Sequence, residues 1–135
     1  MKHLLLALSF FTLAACMNEK LDMAAATKTA ESAIQLIGDE KFDDLSQLYT
    51  KDFSNSEAKE EREKKFDQII KVTGKTIAYN LTDSIIENNT GEESRLILKY
   101  KVKHANTSTT ETYTVVKEEG KYLLSNIYIT NTTPQ

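Results

Sequence analysis

The sequence predicts an α+β domain in which three helices come first and four antiparallel strands follow. Three observations carry this. Apolar residues recur at spacings of three and four up to Gly74 and at a spacing of two beyond it. The strand-like segments are separated by short turn sequences rather than by helices, so they should pair as hairpins. All four glycines, Gly38, Gly74, Gly91 and Gly120, fall at segment boundaries, so turn chemistry and periodicity agree. Helices segregated from a meander in this way pack together on one face of the sheet.

Composition bounds the class. The chain has 135 residues, 40% hydrophobic and 27% charged, enough for one domain with a modest core. Four Gly and one Pro are too few for a fibrous or disordered chain. No apolar run reaches the roughly 20 residues of an internal membrane-spanning helix. Seventeen Lys and Arg against 20 Asp and Glu give a net charge of −3. That balance offers no bulk attraction for nucleic acid, and no nucleic-acid partner is expected.

The first helix follows Asp22, a candidate N-cap. Met23, Ala26, Ala30, Ala33, Ile34 and Ile37 form its apolar stripe, and Gly38 is its expected stop. A short second helix carries Phe42, Leu45, Leu48 and Tyr49 on one face. Asp39, Glu40, Asp43 and Asp44 crowd its start, where the helix dipole favours acids over a calcium-site reading. The third helix spans about 57–72. Ser56 is its expected cap, Phe66, Ile69 and Ile70 its apolar side, and Gly74 its end.

The strands come next. Ile77, Tyr79, Leu81 and Ile85 alternate with polar residues. Leu96, Leu98, Tyr100 and Val102 alternate with Lys99, Lys101 and Lys103. Residues 109–117 are rich in Thr, Tyr and Val, and Tyr122 to Ile129 is apolar on both faces. The expected turns are Asn88–Gly91, Asn106–Ser108 and Glu118–Gly120. The lysine row should face Thr114, Thr112 and Thr110, as a solvated sheet face or an anion-binding surface. The domain is thus expected over residues 23–130, with a polar tail at 131–135.

Gly38-Asp39-Glu40-Lys41-Phe42-Asp43-Asp44-Leu45, then Leu48-Tyr49 and Asp52-Phe53, resembles the first-helix region of the NTF2-like (cystatin-like α+β) superfamily. Glu119-Gly120-Lys121-Tyr122 is similar to its final hairpin. The resemblance implies a cone, with three helices over a curved four-stranded antiparallel sheet. The superfamily includes enzymes, ligand binders and dimerisation modules, so the fold implies no activity.

The N terminus carries a second resemblance. Met1-Lys2-His3 is basic, Leu4 to Ala15 is apolar, and Leu13-Ala14-Ala15-Cys16 closes the stretch. This is the layout of an export signal over residues 1–15. Its ending resembles the lipobox of bacterial lipoproteins, which implies cleavage before Cys16 and lipid on its thiol. Acylation with more than one chain anchors stably. Removing residues 1–15 takes away one of the 17 basic residues and none of the 20 acids, so the charge becomes −4. Residues 16–22 form the lipidated start and a tether of at most about 20 Å. As the only cysteine, Cys16 leaves the domain no disulfide and no catalytic thiol. Met17 after it points to the outer membrane, facing the periplasm, in a host with two membranes.

Candidate chemistry is sparse. His104 is the only histidine beyond residue 3, and no hydrolase, nucleotide-binding, zinc or calcium motif occurs. No metal or cofactor is expected. His104 shares parity with Leu96, Leu98, Tyr100 and Val102 and so could face the cone; a position on an exposed strand-end rim is favoured. Asp83 has the parity of Ile77, Tyr79, Leu81 and Ile85, which would put a general base in an apolar pocket. A bulged or exposed strand there is the favoured alternative. On the last strand, either Leu123, Ser125, Ile127 and Ile129 or Tyr122, Leu124, Asn126 and Tyr128 lie uncovered, depending on the turn. Leu123, Ile127, Tyr128 and Ile129 are the interface candidates. The leading functional expectation is a non-catalytic, lipid-anchored envelope protein. It would bind a small apolar ligand, a second copy or another envelope protein. The alternatives are an isomerase- or dehydratase-like enzyme using Asp83 or His104, and an inhibitor or immunity-type protein.

Overall fold

The computed structural model describes residues 20–88 and 90–132. The signal segment and Cys16 lie outside them. The element order is α1 (Met23–Gly38), α2 (Phe42–Ser46), α3 (Lys51–Asn55), α4 (Lys59–Thr73), β1 (Thr76–Glu87), β2 (Arg95–His104), β3 (Ser108–Glu118) and β4 (Lys121–Thr132). The strands form one antiparallel sheet in the order β1-β2-β3-β4.

Asp22 caps α1 as its residue type predicts. Its Oδ1 accepts from Ala24 N at 3.0 Å and Ala25 N at 3.2 Å. Ala26, Ala30, Ala33, Ile34 and Ile37 are the buried stripe, and three alanines let the helix lie close to the sheet. Gly38 ends α1, as expected, without itself taking the left-handed conformation. Glu40 takes the left-handed conformation (φ 56°). Gly38 is required for a different reason: a Cβ there would sit 2.9 Å from Thr76 Oγ1.

The second helix is shorter than expected, and the described residues form four helices rather than three. Leu48–Thr50 leaves the helix to run alongside β4. Thr50 N donates to Leu124 O (2.9 Å) and Leu124 N to Leu48 O (2.7 Å), with a parallel bridge from Tyr49 to Leu124. The unpaired edge of β4 supplies partners that another helical turn would forgo. The additional helix, α3, is capped by Thr50 Oγ1, which accepts from Phe53 N at 3.1 Å. Ser56 does not cap α4. It closes α3, donating to Phe53 O at 2.8 Å, and α4 begins after Ala58 without a side-chain cap.

Arg62 fixes α4 to this segment. Its guanidinium lies 5.0 Å from the Tyr49 ring centroid and 4.4 Å from that of Phe53. It also donates to Phe53 O (2.6 Å) and Ser56 Oγ (3.1 Å). Beside it the Tyr49 hydroxyl has its pKa pushed up to about 12, by burial first and against the opposing pull of Arg62. Phe66 stacks on Phe42.

The helices cover one sheet face. Leu96, Leu98, Tyr100, Val102, Tyr113, Val115 and Leu124 are fully buried there, each apolar side chain contributing about 1.5–3 kcal/mol. The β3–β4 turn has two residues, Glu119 and Gly120, both with positive φ (51° and 79°), and Glu118 faces Lys121. This is the type I′ geometry that matches strand twist. The β2–β3 turn is Ala105–Thr107, one residue earlier than expected. Ala105 N donates to Lys75 O and Asn106 N to Thr73 O, both at 2.9 Å. The α4–β1 junction therefore pins this turn. As a result Lys99, Lys101 and Lys103 face Thr112, Thr110 and Ser108, two residues along from the expected register but on the same face.

Candidate functional site

The covered face ends in a polar cluster at the β2–β3 turn. His104 closes β2 at the strand end beside the turn, as expected, but its ring is turned inward, 8% exposed, and not out on the rim. Three strands meet around it. Thr76 Oγ1 of β1 lies 3.2 Å from Nδ1, and Thr109 Oγ1 of β3 lies 2.9 Å from Nε2. Thr109 donates to Glu111 Oε1 at 2.9 Å, and Tyr113 Oη donates to Glu111 Oε2. His104 Nε2 is 3.6 Å from Glu111 Oε1.

The directions of these bonds fix the tautomer. Thr109 has one proton, which goes to the carboxylate, so it must accept from Nε2–H. In the neutral ring Nδ1 then accepts from Thr76. Glu111 is 3% exposed, and Thr109 and Tyr113 are fully buried. Burial, then the Glu111 carboxylate, pushes the Tyr113 hydroxyl well above the usual tyrosine range. A histidine and a carboxylate this close are acid/base types, but their polar atoms are engaged with one another.

The neighbouring Tyr100 differs. Its ring meets that of Tyr113 edge-on at 6.1 Å, and its buried hydroxyl has no partner in good hydrogen-bonding geometry among the described residues, with Glu31 and Thr27 of α1 close by. Burial, and then the Glu31 carboxylate of α1, raises its pKa.

Glu111, Thr109 and Tyr113 were absent from the sequence-derived site. Parity could have found them: Thr109, Glu111, Tyr113 and Val115 alternate, and an acid on a buried parity next to a lone histidine is a signal.

Asp83 does not join this cluster. Thr82 is an extra residue between the pairs Leu81–Tyr100 and Asp83–Lys99. The bulge reverses parity, so Asp83 stands exposed on the uncovered face, in register with Lys99. Its carboxylate accepts from Ser84 N at 2.8 Å.

A second bulge corrects the interface candidates. Tyr113 faces Ile127 and Thr114 faces Asn126, but Val115 faces Leu124, so Ser125 is the extra residue. Neither expected face survives, because parity switches in mid-strand. Tyr122 and Leu124 point under the helices before the bulge, and Ile127 and Ile129 after it. Those two isoleucines pack against the core. Only Leu123 and Tyr128 of the four candidates remain on the uncovered face, with Tyr128 61% exposed.

Exposed apolar side chains concentrate instead on β1. Ile77, Leu81, Ile85 and Ile86 are 60%, 41%, 49% and 53% exposed. Two surface concavities lie elsewhere. One of about 410 Å³ runs along Ala24, Thr27, Lys28, Glu31, Ser32 and Gln35 of α1. The other, of about 640 Å³, lies between α3 and the uncovered ends of β3 and β4, with Asp52, Glu93 and Glu118 in its lining. Neither includes His104, Glu111 or Asp83. Among the described residues no cluster of His, Asp or Glu is arranged to hold a metal ion, and no helix is long and apolar enough to cross a membrane.

The sequence matches no protein-family model and no curated protein. The fold does have relatives among solved structures. A cystatin-like protein of unknown function from Nostoc punctiforme superimposes with a TM-score of 0.61 at 16% identity, over 82% of this chain and 91% of that one. A candidate scytalone dehydratase from Novosphingobium aromaticivorans gives 0.53 at 14% identity, over 82% and 84%. The β subunit of a benzoate 1,2-dioxygenase from Burkholderia mallei gives 0.53 at 13%, over 84% and 93%. The architecture is therefore the cystatin-like/NTF2-like fold that the sequence resemblance implies. At these identities the likeness extends to the fold alone.

Proposed function

We propose that this chain is a lipid-anchored protein of the bacterial envelope that acts by binding rather than by catalysis, with its contact surface on the outside of the domain. The observation that carries the reading is the self-contained chemistry of the interior. His104, Glu111, Thr109, Tyr113 and Thr76 satisfy one another, and the rest of the covered face is filled by large side chains such as Tyr100, Leu96 and Leu98. A substrate would have to displace this packing to reach the one histidine. Such a cluster serves as a polar plug that fixes the register of β1, β2 and β3 at the open end of the sheet. The anchor rests on the export signal and Cys16, and outer-membrane placement on Met17. A protein partner on the exposed strand surfaces fits this interior better than a small apolar ligand inside it.

One observation favours an enzyme as the second reading. Two titratable groups, His104 and Glu111, converge within 3.6 Å, and enzyme-related proteins share the fold. Complementation separates the two. In a strain lacking the gene, Asp83→Asn and His104→Gln should both restore the phenotype at normal protein abundance, while Cys16→Ala should lose palmitate labelling and membrane retention. A null phenotype from a folded, abundant His104→Gln chain would reverse the ranking, and labelling that survives Cys16→Ala would remove the anchor.

A further inference from the structure

The two edges of the sheet are treated differently. The β4 edge is occupied by the chain itself, through Leu48–Thr50. Among the described residues the β1 edge has no strand beside it. Natural edge strands are blunted by lysines, prolines, bulges or short length. β1 has twelve residues, no Lys and no Pro, and four half-exposed large apolar side chains. It carries two bulges, and the one at Thr82 determines what can pair with it.

We infer that β1 is a self-association edge, and that two copies of this chain join there antiparallel into one continuous sheet. The argument is one of register. Paired residues in a sheet must point to the same face. In an unbulged strand a two-fold self-pairing sets a residue opposite its own copy. The extra residue at Thr82 forbids this across the bulge. Ala78, Asn80, Asp83 and Ile85 point to the uncovered face, and Tyr79, Leu81, Ser84 and Ile86 to the covered one, as their partners on β2 show.

A two-fold axis between Leu81 and Thr82 satisfies the three pairs that flank the bulge, from Ala78 to Ile85. It sets Ala78 opposite Ile85, Tyr79 opposite Ser84 and Asn80 opposite Asp83, like face to like face. Backbone N–H and C=O direction follows the same alternation, so the ladder is matched as well. This axis also lies at the middle of β1, so the register uses most of the strand.

The side chains suit a second copy as occupant. Ile85 lands on the small Ala78 of its partner. Asp83 meets an amide, Asn80, and not the other Asp83. Lys75, just before β1, is carried toward the Glu87 end of the other chain, so a cation approaches its terminal acid. A two-fold contact of this kind is isologous and closes on itself, without propagating into a fibre. The inference is independent of the reading of the N terminus.

Two preparations of the full chain in non-ionic detergent, Asn80→Cys and Asp83→Cys with distinct tags, test the register when mixed and mildly oxidised. Mixed 80–83 disulfides should exceed 80–80 and 83–83 links by at least about fivefold, because only the mixed pair is opposed. The parent chain controls for links through Cys16. Ile85→Lys, at a half-exposed position that the fold tolerates, should weaken association at least tenfold with unchanged circular dichroism. Unselective or absent cross-linking, or a parent chain that sediments as a monomer at about 100 μM, would overturn the inference. So would association that Tyr128→Lys abolishes and Ile85→Lys does not.

Discussion

Tyr100 and Tyr113 provide a paired test of how the interior is held together. The two rings are adjacent, their centroids 6.1 Å apart, and both are fully buried. Replacing either by Phe removes one hydroxyl and leaves the ring in place. The consequences should have opposite signs. Tyr113 Oη donates to a buried carboxylate oxygen of Glu111. Its loss leaves that oxygen short of a partner in a site closed to water, which costs about 1–3 kcal/mol. Tyr100 Oη has no partner in good hydrogen-bonding geometry among the described residues, only the approach of Glu31 and Thr27, so its desolvation is poorly compensated in the native protein. Tyr100→Phe should therefore be neutral or stabilising by up to about 1 kcal/mol.

For a domain of this size 1 kcal/mol corresponds to about 4 °C in the melting midpoint. The two variants should accordingly separate by roughly 4–16 °C. Urea unfolding followed by circular dichroism measures both midpoints and slopes, and an unchanged slope confines the effect to stability. A Tyr100→Phe variant that loses more than about 1 kcal/mol, or a Tyr113→Phe variant indistinguishable from the parent, would refute the reasoning.

Two further outcomes follow from the same interior and its borders. Tyr49, Tyr100 and Tyr113 are held protonated by burial. Folded pKa values raised above the unfolded value of about 10 give stability that is complete below that pH. It is lost as pH rises through the folded values, Tyr49 reaching about 12. Absorbance at 295 nm should show a fraction of the six tyrosines ionising late and together with unfolding; six independent titrations near pH 10 in a folded protein would contradict this. Gly38→Ala should destabilise by about 1–3 kcal/mol, since its Cβ would crowd Thr76, the residue that holds His104 Nδ1. A melting midpoint within 1 °C of the parent would show that the α1–β1 junction yields without cost.

The sequence by itself determined the class, the order of elements and most of their ends. Those features depend on local periods and on residues with local jobs. Asp22 caps α1 because its carboxylate reaches the next two free amides. Gly74 and Gly120 stand where positive φ is needed. The covered face of β2 was legible because Leu96, Leu98, Tyr100 and Val102 alternate without interruption. The tertiary structure decided what depends on pairing. Bulges at Thr82 and Ser125 reverse parity in mid-strand; the first agrees with the bulged or exposed strand expected at Asp83, and no local residue type announces the second. They moved Asp83 out of the interior and divided the β4 interface candidates between two faces. Leu48–Thr50 gave up helix for β4, a partner some 75 residues away in sequence. The polar cluster likewise joins β1, β2 and β3. His104 was visible as a single residue, but its meaning came from Thr76, Thr109 and Glu111, which only the sheet register brings to it.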